Sequence, residues 1–166
     1  MSTFNSRANA LAERLLMGAN ELAQVAESLT ESQWNTPVLG DGRSIGVVVH
    51  HVASVYPLEL ELAQVLASGS PITGASMDVV HQMNADHAAA NADVNKADTI
   101  ALLHKNSKVA ANLVRAFTDE ELDTSGTVSL NANAPLTAQF FIEDHALRHS
   151  YHHLDKIQKT LESMVN

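Results

Sequence analysis

The sequence predicts an all-α fold, a four-helix bundle, and three observations predict it. Ala, Leu and Val dominate the apolar residues, while 7 Gly and 4 Pro are thinly spread, a composition that favours helices over turn-rich β structure. Four long stretches repeat apolar residues at three- and four-residue steps. Clusters of Gly, Pro, Ser, Asn and Asp separate them. With 166 residues and 45% hydrophobic composition, residues 1–166 suit a single domain that buries an adequate core.

Residues 4–29 carry the stripe Leu11, Leu15, Ala19, Leu22, Ala26, which predicts a helix with one buried face. Thr30 and Gln33 have capping-box spacing, so residues 30–35 form a short helical turn, with Trp34 packing it. Pro37, Gly40, Asp41 and Gly42 then break the chain. Ser44 caps a second long helix reaching Ala67, with the stripe Val48, His51, Val55, Leu58, Leu62, Val65. Pro57 should kink it or force a local rearrangement. Residues 68–74 form a loop. A third helical region covers 76–117, interrupted at the polar stretch 91–98. Thr118 and Glu121 mark another capped turn. A connection rich in Ser, Asn and Gly follows, long enough to be a crossover before the last helix, which spans 135–164.

The charge and residue inventory exclude several functions. A net charge of −9 without a basic stripe argues against nucleic-acid binding. With no cysteine, there is no disulfide, thiolate metal site or cysteine nucleophile. The N-terminal stretch lacks a secretion pattern, and no apolar run approaches the roughly 18 residues of a membrane span. The expectation is a cytoplasmic protein with no membrane or nucleic-acid partner.

Nine histidines are the anomaly, and four fall between His145 and His153. At 100° per residue, Ile142, His145, His149, His153 and Ile157 follow one inward stripe of the last helix, whereas His152 joins the polar face. On the second helix His51 interrupts the apolar stripe, and His50 sits about 100° away. An i, i+4 histidine pair with a third imidazole from a facing helix can hold one divalent cation. Imidazole suits Zn, Ni, Fe or Cu. No fourth side chain stands out, so the metal site of His51, His149 and His153 should keep open positions, as catalytic sites do. His145 is a candidate catalytic residue, as a proton carrier, fourth ligand or orienting donor. Asn84, Asp86 and His87 are candidates to line a substrate pocket, while His81 and His104 read as surface residues.

At these residues the chain resembles the DinB-like (YfiT-like) superfamily, which includes thiol-dependent S-transferases and isomerases of the bacillithiol and mycothiol type. The run Ser44-Ile45-Gly46-Val47-Val48-Val49-His50-His51-Val52 matches the family's S-I-G-x-V-L-x-H-L helix. His149 to His153 matches its C-terminal H-x-x-x-H. The resemblance implies a four-helix bundle binding Zn or Ni through His51, His149 and His153, often as a homodimer. Two departures stand out. Arg43 replaces the tryptophan often found before Ser-Ile-Gly, and Leu154-Asp155-Lys156 replaces the common Arg/Leu-Gly-Gln. The expected function is a divalent-metal-dependent enzyme acting on a small electrophile, as a thiol-dependent S-transferase or isomerase or a related hydrolase. A low-molecular-weight thiol would be its cosubstrate, since the chain has none. The competing expectation is a non-enzymatic, stress-related metal-binding bundle.

Overall fold

The first stripe folds as α1 (Ser6–Ser28), burying Leu11, Leu15, Ala19, Leu22 and Ala26 together. This is a computed structural model, and it describes residues 6–165; residues 4 and 5, the expected start of that helix, lie outside the described residues. A Thr30–Gln33 capping box opens α2 (Glu31–Trp34), and Ser44 accepts from the Val47 N–H to start α3 (Ile45–Ala67). α3 runs through Pro57 as one helix. The 91–98 interruption falls between α4 (Met77–Ala90) and α5 (Lys96–Arg115). A second capping box, Thr118–Glu121, begins α6 (Asp119–Asp123).

The next segment differs from the expectation. Residues 125–137 form a hairpin of β1 (Ser125–Val128) and β2 (Ala134–Thr137), antiparallel with Ser125 opposite Thr137. Pro135 therefore lies in a strand, and the last helical run begins at α7 (Ala138–Phe141). It continues as a π-helical turn (Ile142–Leu147) into α8 (Arg148–Ser163).

The tertiary pairings set the helix directions. Trp34 Nε1 donates to the Val94 carbonyl and Lys96 Nζ to that of Leu29, so α5 starts where α1 ends and α3 begins. Arg115 pairs with Glu13 at its other end. α5 is thus antiparallel to α1 and parallel to α3. Arg14 reaches Glu143, Gly18 abuts Ser150, and the Leu39 N–H donates to Thr160 Oγ1, so α8 is parallel to α1 and antiparallel to α3. Around the bundle the order is α1, α5, α3, α8, placing the consecutive helices α1 and α3 on a diagonal. Parallel neighbours need a return segment, and α4 supplies it between α3 and α5. The long connection before α7 does not run along the bundle. It begins and ends at one place, where the Ala138 N–H donates to the Thr124 carbonyl at 2.9 Å.

The core is Ala- and Leu-rich. Leu11, Leu15, Leu22, Leu60, Leu103 and Ile157 are fully buried, and alanines on α1, α3 and α5 let the helices approach closely. Gly46 is required where it stands: a Cβ there would lie 2.5 Å from the buried Trp34 ring. On α3 the core face is Tyr56, Leu60, Ala63 and Leu66, whereas Val55, Leu58 and Leu62 of the expected stripe line a cavity. α3 is apolar on most of its circumference, so periodicity does not distinguish core from cavity wall.

Candidate metal site

His51 enters from the first third of α3, and His149 and His153 from consecutive turns of the antiparallel α8. Each offers one ring nitrogen, and the three nitrogens lie within 4.8 Å of one another. The ring centroids are 4.9 Å apart for His51–His149, 5.5 Å for His51–His153 and 4.8 Å for His149–His153. The Nε2 atoms of His149 and His153 approach to 3.0 Å. His51 and His153 are buried, and His149 is half-buried at the cavity surface.

Burial keeps His51 and His153 neutral. Desolvation foremost, then the nearby His149, pushes His51 down to about 3 and His153 down to about 2. Glu59, two turns along α3, accepts from His149 Nδ1 at 2.9 Å. That bond places the His149 proton on Nδ1 and turns the Nε2 lone pair toward the other two rings. Glu59 Oε2 and His153 Nδ1 are buried without hydrogen-bond partners. The donor set fits a divalent cation: three imidazoles, two of them with Nε2 atoms facing at 3.0 Å, and one oriented by a carboxylate.

The site forms part of the wall of a cavity of about 570 Å³. The π-turn brings both Asp144 and His145 to that wall. π-turns recur at functional sites because the widened turn re-aims side chains. His145 stacks on Phe141 at 4.2 Å, and burial lowers its pKa. Its Nε2 is buried with no hydrogen-bond partner, 3.8 Å from the Asp144 carboxylate. The hairpin supplies apolar wall through Val128 and Leu130, and α4 adds Met77, Val80 and Asn84.

Of the three residues expected on α4, Asn84 lines the cavity and Asp86 and His87 do not. Asp86 lies about 200° around the helix from Asn84, is exposed, and accepts from Gln82. His87 continues the Val80–Asn84 face beyond the cavity, where its Nε2 meets His50 Nδ1 at 2.9 Å and its ring lies edge-on to His51 at 5.4 Å. His50 thus faces α4 and is absent from the three-nitrogen group. His152 is exposed but lies at the cavity edge, as does His81.

The sequence pattern of the DinB superfamily matches residues 14–157. The chain belongs to the DinB superfamily. Among solved structures, the DinB fold here resembles YfiT from Bacillus subtilis, a probable metal-dependent hydrolase with an unusual four-helix bundle topology. The TM-score is 0.75 at 19% identity, covering 99% of this chain and 91% of that one. It also resembles the mycothiol-dependent maleylpyruvate isomerase (TM-score 0.68, 13% identity), covering 95% of this chain but 63% of the isomerase. A third similar structure is the DinB-like protein YjoA of Bacillus subtilis, with TM-score 0.59, 15% identity and coverage of 95% and 93%. No curated protein sequence matches the chain. At these identities the structural likenesses establish the fold alone.

The six charged cavity residues, Asp41, Arg43, Glu59, Asp144, Arg148 and Lys156, were not singled out from the DinB sequence as site residues. Glu59 carried a usable signal, an acid two turns after His51 inside a largely apolar helix. Arg43 forms a two-bond pair with Asp41 (2.6 and 2.8 Å), and that hydrogen bonding holds the Asp41 carboxyl down at about 2. Among the described residues, no helix is long and apolar enough to cross a membrane.

Proposed function

We propose that the protein is a divalent-metal-dependent enzyme that joins a nucleophile, water or a low-molecular-weight thiol, to a small electrophilic substrate. The observation that carries this reading is the convergence of three ring nitrogens, two from buried imidazoles, at the wall of a cavity large enough for a small molecule. The family likenesses support it, since one structural neighbour is described as a probable metal-dependent hydrolase and another as a thiol-dependent isomerase.

His51, His149 and His153 would hold the ion, Zn or Ni fitting an all-imidazole set. When bound, such an ion supplies Lewis acidity that makes a nucleophile of water or a thiol near neutral pH. The remaining work falls to the chain. Glu59 holds the proton on His149 Nδ1 and fixes that ring's orientation. His145, kept neutral by burial, would take a proton at Nε2 and return it to a leaving group. Val55, Leu62, Ile72 and Phe141 exclude water and receive the apolar part of the substrate. Because the chain has no cysteine, a thiol would arrive as cosubstrate.

Metal analysis of untagged protein tests the first half, with about one equivalent of Zn or Ni per chain expected for a three-histidine site. A screen of low-molecular-weight thiols against electrophiles, with metal-loaded and metal-stripped protein side by side, tests the second. Turnover that survives stripping would overturn the reading.

A further inference from the structure

The cavity's cations are out of proportion to the rest of the molecule. The chain has ten lysines and arginines and a net charge of −9, yet three of the ten, Arg43, Arg148 and Lys156, line this one cavity. Two are engaged. Arg148 donates to the Asp144 carboxylate at 3.0 Å, and Arg43 is paired with Asp41. Lys156 is half-buried, and no carboxylate among the described residues lies within ion-pair distance of it. Arg43 also keeps something in reserve: its Nη1 is buried and has no hydrogen-bond partner, a donor that costs free energy until something accepts from it.

The two unsatisfied groups belong to one side of the site. Arg43 sits in a tight loop closed by the Val38 N–H donating to the Arg43 carbonyl. That loop is tied to α8 where the Leu39 N–H meets Thr160 Oγ1, one turn beyond Lys156 on the same helix. Lys156 in turn follows His153 by three residues.

A charge count indicates what they accept. Asp41, Glu59 and Asp144 balance Arg43, Arg148 and Lys156 around the cavity. A divalent ion adds two positive charges, and a thiolate or hydroxide nucleophile removes one. One negative charge remains to be supplied. We propose, on the basis of the metal-site reading, that the substrate is an anion with an apolar body, its carboxylate held between Lys156 Nζ and Arg43 Nη1. One ammonium and one guanidinium edge match a single carboxylate, and Val55, Leu58 and Leu62, further along α3 in the same cavity, match the body.

The test uses two rigid thiols that cannot chelate, 4-mercaptobenzoate and its uncharged counterpart 4-mercaptobenzamide, titrated into cobalt(II)-loaded full-length protein and read by the visible cobalt bands. The acid should bind about tenfold more tightly than the amide. Lys156→Gln should bring the ratio near one, and Lys156→Glu should invert it. Arg43→Gln should lower the ratio as well. Should loss of the Asp41 pair unfold that variant, the two Lys156 variants, which break no ion pair, carry the test. Equal binding of acid and amide, or a preference that survives both Lys156 changes, overturns the proposal while leaving the metal site standing. If cobalt does not bind, the metal reading fails instead. The cation pair is then tested by ligand-observed NMR of benzoate against benzamide on the same protein, and absence of a preference for benzoate overturns the anion site too.

Discussion

The α1–α5 side of the bundle and the α3–α8 side are built from the same helical parts to opposite ends. α1 meets α5 through small and aliphatic residues, with Leu11, Leu15, Leu103, Ala110, Ala111 and Val114 all buried. α3 meets α8 across imidazoles, a half-buried carboxylate and a cavity, and most of the unsatisfied buried polar atoms among the described residues lie there. One side holds the fold together at native packing density, and the other carries groups whose partners must come from outside the chain. Stability and chemistry should therefore be separable by mutation.

The widest separation is expected at His149. His149→Ala should abolish stoichiometric metal while leaving the helical circular dichroism intact, whereas His152→Ala should keep the metal. Metal analysis of both variants decides, and equal loss would dissolve the distinction between inward and outward histidines. Leu15→Ala probes the other side: a fully buried leucine truncated there should cost about 2–5 kcal/mol in denaturant unfolding and leave metal stoichiometry unchanged. Acid should act strongly on the histidine side. His51 and His153 are held at about 3 and about 2 in the folded chain, against 6.5 when free. The unfolded chain therefore takes up protons first. The stability tied to these neutral rings is complete above pH 6.5 and falls as pH drops toward 3. The loss is about 1.4 kcal/mol per pH unit for each ring, measurable by urea titration of metal-free protein across pH. A pH-independent midpoint would contradict the burial assigned to them. The smallest expected effect is that of Glu59→Gln, which removes the charge behind His149 and should weaken metal affinity about tenfold in a chelator competition.

The sequence carried the parts of this comparison unevenly. The α1 stripe, the Ser44 cap, both capping boxes and the break after Ala90 depend on local spacing, and each is found where the spacing puts it. His51, His149 and His153 could be brought together because i, i+4 spacing and stripe membership survive folding. Asp86 shows the converse: only two residues from Asn84 in sequence, it lies about 200° around α4 and misses the cavity. The hairpin was hidden because its two strands have only four residues each, and β2 contains Pro135. The π-turn leaves no composition signature, and the identity of the return helix depends on the parallel pairing of α3 with α5, a long-range fact. Glu59 and Lys156 acquire meaning only when α3 and α8 are seen to face one cavity.

α4 has no buried residue, although its Met77, Val80 and Asn84 wall the cavity. Detaching it exposes little that water did not already reach, so its opening free energy should lie far below that of global unfolding. The connectivity that forces α3 and α5 to run parallel thus places the least protected helix over the site. Backbone amides of α4 should exchange with solvent long before those of α1.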